Sequence, residues 1–255
     1  MPFTSTIDPV LLQLGPLQIR YYGIAYVLGF LLMWWWLRRA ANKGMIRLTT
    51  QQIEDIVFWL MVGVVVGARL GHVLFWNLPY FLANPLKIFA VWEGGMAFHG
   101  GLIGIVLAGW LWCRKHSFSF YPIADILTVP VIFGLALGRF ANFTNGELYG
   151  PITNVPWCVQ FPGVEGCRHP YQLYSACKRV LIGLVLLMLS HKHWKEGFLF
   201  WLLLAVLGAG RFFLDFLRED ARWFGLSIGQ YLSAAVFLIA AFILLHSYRS
   251  PSKTI

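Results

Sequence analysis

Five basic side chains lie inside stretches otherwise apolar enough to cross a bilayer: Arg69, His72, His99, Arg139 and Arg211. A charge at the bilayer centre costs about 2.5–3.5 kcal/mol on insertion scales, so these residues call for a polar cavity. Cations gathered in a cavity point to an anionic ligand. Arginine suits a phosphate, because its guanidinium makes two parallel hydrogen bonds and stays charged when buried. Arg211, Asp215 and Arg218 follow i, i+4, i+7 on one helix face, where Asp215 is expected to bridge both arginines and leave net positive charge. The plainer alternative is a self-contained ion-pair ladder. Arg139 and Asn142 also share a face and run into Phe143-Thr144-Asn145-Gly146-Glu147, which sets amides and a carboxylate where the chain leaves the apolar stretch. The plainer alternative there is a polar helix end with a solvated turn. His99 precedes Gly100 and Gly101, with Gly104 beyond, so a helix or a ligand can approach the backbone closely. A histidine titrates near neutral pH and fits a general base, with Glu147 as its rival.

These residues need membrane helices to position them. Of 255 residues, 58% are hydrophobic and only 12% charged, about half the charged share of soluble domains. Soluble and disordered classes are excluded, and one polytopic membrane domain is expected over residues 1–255. The fold class is an all-α integral membrane protein with about seven transmembrane helices, at 21–38, 53–76, 95–113, 123–143, 171–191, 197–217 and 227–246. The fifth is interrupted by Lys178 and Arg179, which are expected to snorkel to the nearer surface. No cleavable signal peptide is expected, since the first twenty residues have no basic n-region and Pro9 and Pro16 interrupt the apolar run. That segment (Ile7, Val10, Leu11, Leu12, Leu14, Leu17, Ile19) reads as lying at the membrane surface.

Loop charge sets orientation. One side carries ten Lys and Arg, including Arg38, Arg39, Lys43, Arg114, Lys192, Arg249 and Lys253. The other carries five, or seven with Lys178 and Arg179. The N-terminus is therefore expected outside and the C-terminus in the cytoplasm, with an outer-side loop at about 144–170. The net charge of +9 is then largely topological, and nucleic acid is not a partner. All five intramembrane cations fall in the outer halves of their spans, which argues for one cavity open to the outer leaflet.

Other features read as structural. Gly63, Gly67 and Gly71, and again Gly134 and Gly138, have the spacing of close helix packing. Trp34, Trp35 and Trp36 suit a membrane-interface belt. Cys158 and Cys167 share the outer loop and can pair in an oxidising exterior. No CxxC pair or other metal-ligand cluster is seen, His191 and His193 form only a weak pair, and no metal or cofactor is called for.

Several runs resemble the signatures of bacterial prolipoprotein diacylglyceryl transferases. They are Gly94-Gly95-Met96-Ala97-Phe98-His99-Gly100-Gly101-Leu102-Ile103-Gly104, Gly138-Arg139-Phe140-Ala141-Asn142-Phe143-Thr144-Asn145-Gly146-Glu147, Arg168-His169-Pro170-Tyr171-Gln172-Leu173-Tyr174 and Arg211-Phe212-Phe213-Leu214-Asp215-Phe216-Leu217-Arg218. Arg20-Tyr21-Tyr22-Gly23 and Gly67-Ala68-Arg69-Leu70-Gly71 match as well, and the motifs follow the family order across nearly the whole chain. The resemblance implies a seven-span bacterial plasma (inner) membrane enzyme with its active site toward the outer side. It implies transfer of the diacylglyceryl group of phosphatidylglycerol to the lipobox cysteine thiol of preprolipoproteins, the first step of lipoprotein maturation. The implied partners are phosphatidylglycerol, preprolipoprotein signal peptides and membrane lipids. Carried over, the functional positions are Tyr22, His99, Arg139, Asn142, Glu147, Gly150 and Arg211. The chain departs from the family at Asp215, where Glu is common, and at Ser175, where an acidic residue is usual. Its outer loop is also shorter than in some members and carries Cys158 and Cys167.

The expected chemistry needs what the residues offer. A thiolate displaces a phosphate ester at carbon, so the leaving group is anionic. Arg139 and Arg211 are expected to hold that phosphate, with Arg69 and Asp215 as further substrate contacts. His99 or Glu147 would take the thiol proton, and Tyr22 or Asn142 would position the glycerol. Buried cations also suit two other classes. An anion transporter would need polar residues in the inner halves of the spans, and these are almost apolar. A non-catalytic lipid-binding protein would not need His99 and Glu147 beside the arginines.

Overall fold

The computed structural model describes residues 3–5, 7–14 and 17–248. Pro16 and the tail cations Arg249 and Lys253, which entered the charge count, lie outside the described residues. The elements in chain order are β1 (Phe3–Thr4), β2 (Val10–Leu14), β3 (Leu17–Arg20), α1 (Tyr21–Asn42), α2 (Thr50–Trp76), α3 (Leu78–Ala83), α4 (Phe98–Lys115), α5 (Phe120–Thr144), β4 (Val159–Gln160), α6 (Tyr171–Leu189), α7 (Phe198–Leu214), β5 (Arg222–Trp223), β6 (Leu226–Ser227) and α8 (Ile228–Ser247). Short 3-10 turns occupy Pro85–Phe89, Val91–Glu93 and Asp215–Leu217.

Each of the seven expected segments falls on a long helix. Five of those helices are long and apolar enough to cross a membrane: α2, α5, α6, α8, and α7 with its extension to Leu217. The other two are diluted by polar or small residues. In α1 these are Tyr21, Tyr22, Tyr26, Arg38 and Arg39, and in α4 they are His99, four glycines, Arg114 and Lys115. The all-α expectation needs one amendment. The stretch read as lying on a surface forms the antiparallel hairpin β2–β3, with Leu11 and Leu12 exposed. Pro9 cannot continue a helix. β1 pairs in parallel with β4, and β5–β6 is a hairpin turning through Phe224 and Gly225, both at positive φ.

The chain forms two compact units. Unit Trp34–Ala124 is built on the α2–α4 pair. The side chain of Thr49 accepts from the Gln52 N–H at 3.2 Å and the Gln52 side chain accepts from the Thr49 N–H at 2.9 Å, a capping box that starts α2. Gly63, Gly67 and Gly71 then pack against Gly100, Gly104 and Ala108, so closely that a methyl group at Gly104 would overlap the carbonyl of Gly63. The glycines after His99 thus admit a helix. Beyond the seam, buried Trp112 donates to Asp55 Oδ2 at 2.6 Å.

The second unit, Met1–Met33 with Asp125–Ile255, holds the start of α1, α5 from Asp125 onward, and helices α6 to α8. Gly29 of α1 faces Gly134 of α5, as close packing at Gly134 requires. Gly138 does not share that role, since nothing lies within 4 Å of where its Cβ would be. Phe133 of α5 fills the space over Gly183 of α6, and Gly208 of α7 meets the backbone of Ser233 and Phe237 on α8. Asp125 of α5 accepts from the backbone N–H groups of Gly197 at 2.6 Å and Phe200 at 2.7 Å, capping α7 from a distant part of the sequence.

Gly104→Ala is expected to destabilise the solubilised protein by about 1–3 kcal/mol, the usual cost of overpacking. Gly138→Ala is expected to be neutral or to stabilise by up to about 1 kcal/mol. Thermal unfolding of both variants checks this, and equal behaviour would refute the seam.

Candidate active site

In the second unit, α5, α6 and α7 bring guanidiniums around one tyrosine and one carboxylate. Arg139, Arg211 and Asp215 are 8%, 8% and 1% exposed. Asp215 accepts from Arg211 Nε at 3.2 Å through one oxygen and from the hydroxyl of Tyr171 through the other. The Tyr171 ring carries the guanidinium of Arg139 at 5.8 Å and that of Arg218 at 6.0 Å from its centre. Gly229, where α8 begins, leaves room for this pair. A Cβ there would stand 3.2 Å from Arg211 Nη2 and 3.3 Å from Asp215 Oδ2.

Asp215 does not bridge both arginines as expected. Helix α7 ends at Leu214 and the next three residues form a 3-10 turn, so Arg218 leaves the i+7 face. Arg218 pairs with Asp220 at 3.2 Å. Burial pushes the Asp220 carboxyl above its ordinary value, against the opposing pull of Arg218.

At the end of α5, Arg139 Nη1 donates to Asn142 Oδ1 at 3.3 Å, and Asn142 Nδ2 donates to Glu147 Oε1 at 2.8 Å. Asn145 reaches the same oxygen at 3.4 Å. Arginine, amide and carboxylate thus form one chain, with Glu147 at its exposed end. Tyr22 on α1 lies within Coulombic range of Glu147 and Arg139, and its hydroxyl meets that of Tyr26 at 3.2 Å. Gly150 is buried. Its N–H donates to the His169 carbonyl at 2.9 Å, and a Cβ would crowd the Leu217 carbonyl at 2.5 Å. The loop between α5 and α6 is closed by a disulfide between Cys158 and Cys167.

Unit Trp34–Ala124 holds the other expected residues. Arg69, expected as a substrate contact, directs four hydrogen bonds to backbone carbonyls. Nε bonds the Ile88 carbonyl at 2.9 Å, Nη2 bonds that of Lys87 at 2.5 Å, and Nη1 bonds those of Gly94 and Gly95. Its guanidinium also stacks on Phe81 at 5.0 Å. Arg69 therefore pins residues 87–95, and Lys87–Glu93 at 2.5 Å reinforces that segment from outside. His72 stacks on Trp76 and lies against Gly95, where a Cβ would be 2.7 Å from its ring. His99 is buried at the start of α4, edge-on to Phe98.

Four residues of the site had no assigned role in the sequence. Tyr171 links Asp215 to the arginines, and Gln172 donates to the Glu147 carbonyl at 2.6 Å. Lys178 and Arg179 were expected to snorkel, yet Arg179 is only 2% exposed and Lys178 lies against Gly210 of α7. The available signal was periodicity, since Tyr171, Ser175 and Arg179 fall at i, i+4, i+8 on one face.

Fold and site define a multi-pass helical membrane protein with a buried cationic cluster. The family described as prolipoprotein diacylglyceryl transferase matches residues 9–246. Phosphatidylglycerol–prolipoprotein diacylglyceryl transferase of Geobacter sulfurreducens is 45% identical over 240 residues, covering 91% of this chain and 92% of that one. The enzyme of the same name from Photobacterium profundum is 42% identical over 256 residues, covering 98% and 96%, and that of Bordetella parapertussis 41% over 256 residues, covering 97% and 98%. The chain belongs to the prolipoprotein diacylglyceryl transferase family.

Removing one member of a buried pair strands the other charge, at about 3–5 kcal/mol. Asp215→Leu is expected to lose that much stability, and the double variant Asp215→Leu/Arg211→Met less. Unfolding of both checks this, and a double variant worse than the single would refute the pairing.

Proposed function

We propose that this chain, as one polytopic membrane domain, transfers the diacylglyceryl group of phosphatidylglycerol to the lipobox cysteine of preprolipoproteins. The reading is supported by the family and, most directly, by the buried guanidiniums of Arg139 and Arg211, the first on the ring of Tyr171 and the second on the carboxylate that Tyr171 holds. In the reaction the cysteine sulfur bonds to the glycerol carbon of the diacylglyceryl group. The carbon–oxygen bond to phosphate breaks, its electron pair stays on that oxygen, and glycerol phosphate departs. The thiol proton passes to a base.

Arg139 and Arg211 hold the phosphate and meet the charge that develops as it leaves, since preorganised charge is commonly the largest catalytic contribution. Asp215 and Tyr171 fix Arg211, and Asn142 fixes Arg139 and hands its other end to Glu147. His99 is the base in this reading, with Glu147 as its rival. Tyr22 positions the glycerol. Gly150 keeps the outer-side loop, about 144–170, tight against the turn after α7. Arg69 acts through the segment it pins. We take the seven long helices as seven spans of the bacterial inner membrane, N-terminus outside and C-terminus cytoplasmic, with the site toward the outer side. The excess of Lys and Arg on the opposite loops supports that orientation.

Purified protein, phosphatidylglycerol and a lipobox peptide with one cysteine are expected to give a diacylglyceryl adduct by mass, absent in Arg139→Ala. No adduct from folded protein across several anionic lipids would return the site to anion transport. Arg139→Lys is expected to lose at least about tenfold in turnover, because a point charge cannot replace the bidentate fork. His99→Gln is expected to lose about 10²–10⁴-fold in turnover while lipid binding persists. Retained activity there would move the base to Glu147.

A further inference from the structure

Helix α6 adds cations to the site that neither the family signatures nor the transfer reaction assigns. Arg179 is 2% exposed, and its Nη1 donates to the Ser175 carbonyl at 2.9 Å and to the Ser175 hydroxyl. Its Nε is buried with no hydrogen-bond partner. The guanidinium lies within Coulombic range of Arg139, Arg211, Asp215 and Tyr171. Lys178 approaches the same region from the same helix. Gly210 makes the room, since a Cβ there would stand 3.0 Å from Lys178 Cδ and 3.2 Å from Nζ, one residue before Arg211.

Among the described residues, no carboxylate pairs with Arg139, Lys178 or Arg179. Of the buried arginines Arg139, Arg179 and Arg211, only Arg211 has a carboxylate, that of Asp215, which leaves a surplus of two positive charges before Lys178 is counted. An unpaired buried charge is costly, and an anion at the cluster would offset that cost. The surplus matches one chemical form better than another. A phosphodiester carries one negative charge, whereas a phosphomonoester carries about −1.5 to −2 at neutral pH.

We propose that Arg179, with Lys178 beside it, is a further anion-binding residue of this site and receives the second negative charge that the phosphate gains when it leaves. The proposal rests on the transfer reading, in which a diester becomes a monoester as its carbon–oxygen bond breaks. A contact that strengthens only as that charge develops lowers the barrier without tightening the substrate. Ser175 supports the arrangement, because a carboxylate at that position would face Arg179 at i+4 and occupy it.

The test is binding rather than turnover. Calorimetry on the full chain in detergent would use glycerol phosphate as the monoester and glycerophosphoglycerol as the diester, above the second phosphate pKa of about 6. Wild type is expected to bind the monoester about tenfold or more tightly than the diester. Arg179→Gln is expected to weaken the monoester about tenfold, the value of one charge-assisted hydrogen bond, and to leave the diester nearly unchanged. Retained diester binding shows that the variant is folded. Ser175→Glu, which keeps Arg179 but supplies it with a carboxylate, is expected to lose the same preference and decides the matter if Arg179→Gln does not fold. A monoester-to-diester ratio unchanged in the folded variants overturns the proposal, as does a wild type that binds neither ester while transferring lipid. A wild type that shows the preference but transfers no lipid overturns the transfer reading and leaves the anion site standing.

Discussion

Removal of guanidiniums from water is the constraint around which the second unit is arranged. Arg139, Arg179 and Arg211 are all nearly inaccessible, and each is held in a different way. Arg211 has a carboxylate, Arg139 has an amide and an aromatic face, and Arg179 has a serine and a backbone carbonyl. Tyr171 joins two of these arrangements, because its hydroxyl holds Asp215 and its ring lies beneath Arg139. A phenol is well suited to this position. It offers an apolar body to the helices, a quadrupole to the cation and a donor to the carboxylate.

Helices that carry such groups need rigid supports, and glycine supplies them. With lipid as solvent, apolar side chains gain little by leaving it for one another, so association depends on close van der Waals contact. The α2–α4 seam brings backbones together at Gly63, Gly67, Gly100 and Gly104, and Gly208 does the same between α7 and α8. Where the contact is backbone on backbone there is no rotamer to adjust. Asp125 adds a polar support of the same stiffness by fixing the first turn of α7, the helix that later presents Arg211.

Much of this was legible in the chain. Apolar length located every long helix, and i, i+4 spacing paired Arg211 with Asp215. The same projection failed at Arg218, because helical period holds only while the helix lasts and α7 gives way to a 3-10 turn. Arg69 was legible as a buried cation but not as a clasp on the Ile88 and Gly94 carbonyls, since backbone acceptors leave no mark in residue identities. The cap on α7 was beyond reach for a similar reason, with donor and acceptor more than seventy positions apart. Depth along the helix does not decide the placement of Arg179. A cation near a helix end has two ways to avoid hydrocarbon, outward to the surface or inward to a polar cavity, and the face it shares with Tyr171 decides for the second.

The inward turn of Arg179 bears on how the protein is made. Helix α6 meets the length and composition of a membrane span only by including Lys178 and Arg179. Its uninterrupted apolar stretch, Val180 to Leu189, rises about 15 Å, half of a hydrocarbon core about 30 Å thick. Such a segment partitions poorly when it leaves the translocon alone. It becomes a stable span when α5 and α7 stand beside it and wall off its polar half from lipid. Insertion of this region is therefore a joint event among three helices, and biogenesis, like binding, is governed by how the same few charges are sheltered.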